Sequence, residues 1–375
     1  MRLLFIDFTI QHLFADADYP VGGWAVELRA WLQGFRALGV ETAILTRQDA
    51  PDAAERLGET RLLRVYAPRG RIPGASYVAR FLPRMLAAGR QFRPDALIQA
   101  VAGINTGLMM MLARILRRPF VYRCANDIDV DGRYRQRLGA VASPLFALGF
   151  AGANGYIAQN SYQLQAIRRR FPKKPSIILH NPYQARPDTQ TVGREQRGYV
   201  AWLGVFQPQK NLPLLAQVAA ALPDVPFRIG GKLEVAMDDA ATLAALDVLK
   251  ALPNVTFAGY LRRTEVPGFL AHAVLLLSTS HYEGFSNTFL EAWGAGTPMV
   301  APARIDPDGL IGAKGLGHAA ASDDDLVGAV RAMMDMPPAE FAALSAHCRH
   351  YVETAHDPAM LAERFLAFLK NEIGV

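Results

Sequence analysis

Two glutamates, Glu283 and Glu291, lie eight residues apart in the stretch HYEGFSNTFLEAWGAG, residues 281–296. Gly284 lets the backbone turn sharply after the first glutamate, and Ser286 is a favourable N-cap residue. We therefore expect a helix from about residue 287 to residue 293. The first glutamate would then lie in the loop before the helix, and the second just over one turn inside it.

The start of this helix could bind an anion. Its first amide groups, near Asn287, Thr288 and Phe289, would carry partial positive charge and lack partners, which suits a phosphate. The two glutamates would repel a phosphate, but they can accept hydrogen bonds from hydroxyl groups on either side of it. A sugar on one side and a ribose on the other would satisfy both, so the spacing indicates a nucleotide-sugar site. A capping acid and a solvated helix residue are the alternative roles.

Short apolar segments alternate with amphipathic helical segments, and this alternation predicts parallel sheets covered by helices on both faces. In the first half the strand candidates are residues 2–8, 40–46, 94–100, 119–124, 155–160 and 176–181. In the second half they are residues 198–204, 226–231, 254–260, 273–279 and 297–302. Ligands of such sheets bind beyond the carboxyl ends of the strands.

A polar, turn-rich segment divides the chain. Residues 181–198 contain Pro182, Pro187 and Gly193 and are typical of a linker, and 375 residues are too many for one ordinary domain. We predict an α/β fold of two tandem, doubly wound, Rossmann-like domains, 1–184 and 185–356, that face each other across a cleft. Residues 357–375 are predicted to form a C-terminal helix that crosses back to the first domain.

The composition is that of a globular protein with a full core, since 51% of the residues are hydrophobic and 20% are charged. Cys124 and Cys348 have no metal-ligand spacing, which argues against a zinc site and fits a reducing compartment. The first residues, MRLLFIDF, are predicted to form a buried strand and not a signal peptide, and we predict no membrane-spanning segment. These features predict a cytoplasmic location.

The net charge of +6 is unevenly distributed. Residues 1–185 contain 25 Lys and Arg against 13 Asp and Glu, whereas the remainder contains 15 against 21. Residues 61–94 contain eight arginines and no acid: Arg61, Arg64, Arg69, Arg71, Arg80, Arg84, Arg90 and Arg93. A solvated basic face and a peripheral contact with an anionic membrane surface are the two explanations. No nucleic-acid recognition module is visible, so we predict no nucleic-acid partner.

The segment EGFSNTFLE resembles the E-x7-E motif of the retaining glycosyltransferases of family 4, which have the two-domain GT-B fold. The resemblance covers most of the chain and follows the family's order. The supporting segments are DYPVGGWAVELRAWLQGFRALGVETAILT, RPDALIQA, PFVYRCANDID, SIILHNPY, WLGVFQPQKNLPLL, VPFRIGG and NVTFAGYL. Each segment is a weak signal alone, and the motif within this order makes the resemblance specific.

The resemblance implies roles for individual residues. Glu283 would hold hydroxyls of the donor sugar and help to stabilise the reacting centre, and Glu291 would bind the ribose hydroxyls. Lys210 would pair with the diphosphate. Gly22 and Gly23 would belong to a flexible loop that closes over donor and acceptor. Backbone contacts to the base, the sugar and the diphosphate would come from Tyr260, Phe285, Ser286, Asn287 and Thr288.

The chain departs from the family pattern at two positions. Val205 stands where the family usually has an arginine, which leaves the diphosphate to Lys210 and the helix amides. Asn126 precedes Asp127 where the family often has a histidine; asparagine can bond a sugar hydroxyl but cannot titrate near neutral pH. Asn126 and Asp127 both remain catalytic candidates. Asp127 would be the carboxylate that a double displacement needs.

The sequence therefore predicts a retaining hexosyltransferase that uses a nucleoside-diphosphate sugar and needs no cofactor or metal. In transfer with retention, the departing diphosphate oxygen can take the acceptor's proton, so the protein supplies positioning and charge stabilisation. The acceptor would be a glycan or lipid-linked saccharide in polysaccharide or lipopolysaccharide assembly, at the inner face of the membrane. The alternative is a binding or scaffold protein that kept the fold and lost the chemistry, which Val205 and Asn126 favour.

Overall fold

The computed structural model describes residues 1–13, 22–48, 59–66, 74–184, 192–233 and 239–375. These residues form two compact units. The first unit combines Met1–Pro182 with His356–Val375, and the second is Tyr183–Ala355. The cleft that we predict between two domains stays a prediction, as do the exact domain limits.

In its described part, the first unit contains a seven-stranded parallel sheet in the order β3-β2-β1-β4-β5-β6-β7. The strands are β1 (Arg2–Ile6), β2 (Glu41–Arg47), β3 (Arg61–Tyr66), β4 (Ala96–Ala100), β5 (Phe120–Arg123), β6 (Gly155–Ala158) and β7 (Ser176–Ile178). Parallel neighbours require crossover connections, and the described residues place helices in the connections other than the one between β2 and β3, where residues 49–58 are not described. These helices are α1 (Gly23–Ala37), α2 (Gly74–Phe92), α3 (Ile104–Leu116), α4 (Ile128–Asp131), α5 (Tyr134–Gly152) and α6 (Ser161–Arg170).

Both faces of this sheet are covered because successive side chains of a strand point in opposite directions. Leu4 and Leu97 belong to a buried cluster with residues of α2, α3 and α5. Leu3 and Ile98 belong to a second cluster, on the side of α1. The prediction of a doubly wound parallel sheet is therefore confirmed for this unit.

The second unit contains, in its described part, a six-stranded parallel sheet in the order β10-β9-β8-β11-β12-β13. The strands are β8 (Tyr199–Leu203), β9 (Phe227–Gly230), β10 (Val255–Gly259), β11 (Ala273–Leu277), β12 (Met299–Pro302) and β13 (Gly317–Ala320). The helices are α7 (Leu212–Ala221), α8 (Ala240–Ala251), α9 (Val266–Ala271), α10 (Asn287–Gly294), α11 (Leu310–Ala313), α12 (Asp325–Met334) and α13 (Pro338–Ala355). Two buried clusters again lie on opposite faces, so the predicted architecture is confirmed here too.

The last α-helix, α14 (Pro358–Phe368), is followed by a π-helical segment at Leu369–Ile373 and packs on α1 of the first unit. The ring of Phe365 meets Trp31 and Phe35 edge-on, with 5.3 Å between centroids in each pair. At Gly34 a Cβ atom would lie 2.0 Å from the carbonyl oxygen of Pro358, so the two helices touch where a side chain has no room.

Two strands were not predicted from the sequence. Strand β3 contains Arg61 and Arg64 and was interpreted only as part of the arginine-rich segment; it lies at the edge of the sheet, where charged side chains reach solvent. Strand β13 has the sequence GHAA, whose small residues give no apolar run. Both are edge strands, which explains their weak hydrophobic patterns.

The predicted linker, 181–198, is only partly loop-like. Residues 185–191 lie outside the described residues, and a 3-10 helix follows at Arg194–Gln196. Arg197 is buried in the second unit, where its guanidinium donates to the carbonyl oxygens of Ala273 and Ala295. The end of this segment therefore belongs to the core of the second unit.

We find no helix among the described residues with the length and hydrophobicity to cross a bilayer.

Candidate functional site

The predicted donor residues lie at the carboxyl edge of the second sheet. The chain adds β9 and β10 on one side of β8 and then places β11 on the other side. The loops that follow β8 and β11 therefore leave the sheet at a switch point, where ligands of open α/β sheets bind. Lys210 follows β8, and the loop with Glu283 follows β11.

Helix α10 begins at Asn287, as predicted, with Ser286 as its N-cap residue. The Ser286 hydroxyl does not bond a helix amide; its Oγ lies 2.8 Å from Thr288 Oγ1. The amide of Phe289 donates to the Ser286 carbonyl oxygen at 3.1 Å, so the expectation that this amide lacks a partner is wrong. Phe285 is buried in the core beside this helix, which leaves its backbone as the part that could meet a ligand.

Glu283 is held by three neighbouring side chains. The ammonium group of Lys210 lies 2.5 Å from Oε1, and the hydroxyl of Ser280 donates to the same oxygen at 2.7 Å. The amide of Gln209 donates to Oε2 at 3.4 Å. Because the side chain of Glu283 is only 9% exposed and meets a cation, its carboxylate is fixed in position and its charge is compensated.

The loops after β8 and β11 are also joined through backbone groups. The hydroxyl of Thr279 donates to the Lys210 carbonyl oxygen at 2.8 Å, and the amide of His281 donates to the Gln209 carbonyl oxygen at 2.9 Å. Lys210 and Thr288 line one small cavity at this position. The lysine, the first glutamate and the start of α10 therefore form one constellation, although Lys210 is 73 residues from Glu283.

Glu291 is buried in α10, and its two oxygens differ. Oε1 accepts a hydrogen bond from the guanidinium of Arg263, which lies in the turn between β10 and α9. Oε2 is buried and accepts no hydrogen bond from the described residues. A buried carboxylate oxygen without a donor costs free energy, so this oxygen is suited to a hydroxyl group of a ligand.

Two further residues of the same edge are exposed. Tyr260 follows Gly259, whose φ of +71° favours glycine, and the ammonium group of Lys232 lies 4.7 Å from the centre of the tyrosine ring. Val205 is 41% exposed. The position where the family usually has an arginine therefore adds apolar surface and no charge.

In the first unit, the candidates Asn126 and Asp127 follow β5 and are tied to neighbouring backbone and side chains. Asn126 Oδ1 accepts from the Ile128 amide at 3.2 Å. Asp127 Oδ1 accepts from Asn160 Nδ2 at 3.0 Å and from Gln163 Nε2 at 2.9 Å. Burial raises the pKa of Asp127, while these two amide groups act in the opposite direction.

The neighbouring acids bind separate partners. Asp129 is buried and accepts from the Tyr122 hydroxyl at 3.1 Å and the Ala125 amide at 2.9 Å. Burial raises the pKa of Asp129 to about 6. Asp131 instead meets the guanidinium of Arg133. Among the described residues, no group of three or more His, Cys, Asp and Glu side chains is arranged to hold a metal ion.

The remaining candidates are Gly22, Gly23 and the arginines. Gly22 precedes α1 with φ −67°, which any residue can adopt, and a Cβ there would meet nothing within 4 Å. The loop before it lies outside the described residues, as do Arg69 and Arg71. The other arginines of the predicted basic face are exposed: Arg61, Arg64, Arg80, Arg84, Arg90 and Arg93.

Three residues of the site were missed by sequence reasoning. Ser280 and Gln209 stand close in sequence to Glu283 and Lys210, and a search for hydrogen-bonding neighbours could have included them. Arg263 carries no such signal, because it is 28 residues from Glu291 and only the fold brings them together.

Two family models match the chain. Residues 197–336 match the model described as glycosyl transferases group 1, and residues 22–182 match the glycosyl transferase 4-like domain. The D-inositol 3-phosphate glycosyltransferase of Mycolicibacterium smegmatis is 32% identical over 165 residues, which are 42% of this chain and 37% of that protein. The O-antigen chain mannosyltransferase B of Escherichia coli is 27% identical over 151 residues, 37% of each chain. The matches thus span little more than a third of these relatives.

Solved structures resemble the whole chain. HepE from Anabaena, solved with UDP-glucose, has a TM-score of 0.72 and 15% identity, with 99% of each chain covered. WaaG, a glycosyltransferase involved in lipopolysaccharide biosynthesis, has a TM-score of 0.67 and 18% identity, covering 98% of this chain and 100% of WaaG. The sucrose-phosphate synthase of Thermosynechococcus elongatus has a TM-score of 0.70 and 17% identity, with 98% of each chain covered. At these identities the likeness shows the fold.

Proposed function

We propose a specific activity for this chain, which belongs to the group 1 glycosyltransferases with the GT-B fold. It transfers a hexose, with retention of the anomeric configuration, from a nucleoside-diphosphate sugar to a glycan or a lipid-linked saccharide. One observation carries the proposal: Lys210, Glu283 and Glu291 surround the start of α10 at the switch point of the second sheet. A cation for a diphosphate and two acceptors for hydroxyl groups are what such a donor requires.

In this proposal, each of the three residues meets a different part of the donor. Lys210 binds a diphosphate oxygen; an ammonium group has three N–H donors, so this contact is compatible with its pairing to Glu283. Glu283 accepts hydrogen bonds from hydroxyl groups of the hexose. Glu291 accepts from the ribose through Oε2, and the first amides of α10 add partial positive charge near the diphosphate.

The chemical step then needs no nucleophile from the protein. The leaving diphosphate oxygen accepts the proton of the acceptor hydroxyl as that hydroxyl bonds to the anomeric carbon on the same face. The protein contributes orientation and charge stabilisation, with neither metal nor cofactor. Asp127 is a weaker candidate for a covalent route, because its Oδ1 already accepts hydrogen bonds from the side chains of Asn160 and Gln163.

The names of similar proteins support the donor and acceptor classes. HepE was solved with UDP and with UDP-glucose, and TarM of Staphylococcus aureus was solved with UDP and α-GlcNAc-glycerol. WaaG is described as involved in lipopolysaccharide biosynthesis, and the mannosyltransferase of Escherichia coli is named for the O-antigen chain. We therefore propose a nucleotide-sugar donor, an acceptor from this class of assembly, and a place at the cytoplasmic face of the membrane.

Nucleotide-dependent thermal stability tests the donor site. We expect one of UDP, GDP and ADP to raise the unfolding temperature of the wild type by a few degrees, because a ligand at about 100 times its Kd adds roughly 2.7 kcal/mol. Glu291→Ala should lose most of this shift, since the ribose hydroxyls lose their acceptor. Differential scanning calorimetry at millimolar nucleotide concentration measures the shift in unfolding temperature of the wild type and of the variant.

Glu353→Ala, which removes an exposed acid of α13, is the matched control and should keep the wild-type shift. A wild type that no nucleotide stabilises would favour the scaffold alternative, for which the exposed Val205 in place of an arginine is the supporting observation.

Retention and metal independence are tested separately. The enzyme should hydrolyse its donor slowly, and EDTA should not prevent this reaction. NMR should show that the sugar released first has the same anomeric configuration as the donor.

A further inference from the structure

The two oxygens of the Glu291 carboxylate have different environments. Oε1 accepts from the guanidinium of Arg263, whereas Oε2 is buried and accepts nothing from the described residues. The contact with Arg263 thus leaves Oε2 as the carboxylate oxygen that has no hydrogen-bond donor among the described residues. It also places one positive charge on a carboxylate that lies about one turn from the start of α10.

That second effect matters because the proposed ligand is anionic. A buried carboxylate repels a diphosphate at the helix start, and the repulsion is strong where water is excluded. Lys210 is already paired with Glu283, and Val205 supplies no charge. Arg263 is the cation that the structure places on Glu291, so its charge cancels that of the second acid.

We propose that Arg263 is a positioning residue for recognition of the donor's ribose. Resting on the function proposed above, this inference assigns Arg263 two effects, both exerted through Glu291: it fixes Oε1 so that Oε2 meets a ribose hydroxyl, and it cancels the carboxylate's charge so that the diphosphate can bind nearby.

The position of Arg263 fits this role. Its side chain is 36% exposed and reaches a carboxylate whose side chain is only 10% exposed, so the arginine acts on Glu291 from the surface of the site. The turn that carries Arg263 is held independently, because the amide of Arg262 donates to Glu265 Oε2 at 2.7 Å. Replacing the Arg263 side chain therefore leaves this turn contact in place.

Isothermal titration with UDP and with 2′,3′-dideoxy-UDP tests the inference, with GDP and ADP and their dideoxy analogues in parallel. We expect Arg263→Ala to weaken binding of the ribonucleotide about tenfold, as for the loss of one charge-assisted hydrogen bond. The dideoxy analogue should lose less affinity, because it has no hydroxyl for Glu291 to accept. In a Glu291→Ala background, Arg263→Ala should change neither affinity by more than about twofold.

Arg262→Ala is the matched control, since it removes the neighbouring arginine side chain while the backbone amide at this position can still donate to Glu265, and it should bind like the wild type. Equal losses for the ribonucleotide and its dideoxy analogue would overturn the inference. So would a loss that persists in the Glu291→Ala background, because Arg263 would then act on the ligand directly or on the fold. A wild type that binds none of the nucleotides contradicts the proposed function itself, whereas nucleotide binding that Arg263→Ala leaves unchanged contradicts only this inference.

Discussion

At the scale of single residues, buried carboxylates of this chain fall into two kinds. Glu27 meets the guanidinium of Arg123 and also accepts from Trp31 Nε1 at 2.9 Å. Arg123 in turn donates to Asn181 Oδ1 at 2.8 Å, so this pair is enclosed by protein groups on both sides. At the candidate site, by contrast, Glu291 keeps one buried oxygen without a donor. This unsatisfied carboxylate oxygen supports the proposed binding role of Glu291.

Asp129 permits a prediction about pH. Its pKa is raised by burial to about 6 from an ordinary 3.8, so between these values the folded chain binds more protons than the unfolded chain. The stability that Asp129 contributes is therefore complete below about pH 4 and is lost as the pH rises through 6. At about 1.4 kcal/mol per pKa unit, the loss is about 3 kcal/mol.

Urea unfolding measures the free energy of unfolding of the wild type and of Asp129→Asn at each pH. The wild-type value minus the variant value should fall by up to about 3 kcal/mol from pH 4 to pH 7. The comparison with a variant is needed because burial lowers the pKa of His356 to about 4, which makes the wild type less stable as the pH falls. Asp247→Asn, at an exposed position, is the control and should give a flat difference. A flat difference for Asp129→Asn as well would contradict the prediction.

At the scale of elements, close approaches of backbone determine where helices and strands can lie. In the second sheet, a Cβ at Gly231 would lie 1.9 Å from the Gly204 carbonyl oxygen, so the ends of β8 and β9 approach closely beside the candidate site. In the first unit, Gly34 has the same function for the contact between α1 and α14. Glycines at these positions let the elements meet without side chains between them.

Gly34→Ala should lower the free energy of unfolding by about 1–3 kcal/mol, because the added methyl group would overlap the Pro358 carbonyl and force the helices apart. Chemical denaturation followed by circular dichroism measures the change. Gly328→Ala is the matched control: it lies in α12 with nothing within 4 Å of the added Cβ. There the same substitution should raise stability by about 0.5–1 kcal/mol, as expected in a helix interior. Equal effects at the two positions would contradict the packing argument.

At the scale of the whole molecule, positive charge is concentrated in the first half of the chain. In α2, Phe81 and Met85 are buried while Arg80 and Arg84 are exposed, so this helix presents arginines to solvent. Arginines near an anionic surface contribute about 1 kcal/mol each to binding, and salt weakens the attraction. This charge pattern supports the proposed peripheral contact with the inner face of the membrane.

The double variant Arg80→Glu and Arg84→Glu should release the protein from vesicles that contain phosphatidylglycerol, because reversing two charges lowers the net charge of this helix by four units. Co-sedimentation at low and moderate salt measures the bound fraction, with phosphatidylcholine vesicles as the neutral comparison. The matched control reverses the same charge at Arg168 and Arg169, exposed residues of α6. If both double variants stay bound, or both are released equally, α2 is not the contact surface.

Much of this organisation was determined by the sequence itself. The alternation of apolar segments predicted the parallel sheets, because strands buried on both faces and their crossover helices leave periodic patterns. The start of α10 and the places of Glu283 and Glu291 around it followed from local rules for glycine, N-caps and helix spacing. The edge strands β3 and β13 escaped these rules, since exposed or small side chains carry little pattern.

Only the tertiary structure decided which loops meet. The pairing of Lys210 with Glu283 depends on β8 and β11 being neighbours, and that strand order is a property of the whole sheet. The contact of Arg263 with Glu291 likewise joins two turns that no local signal connects. Local sequence sets backbone preferences over a few residues, whereas the charge balance and the unsatisfied oxygen of the site arise only when distant loops are packed together and water is excluded.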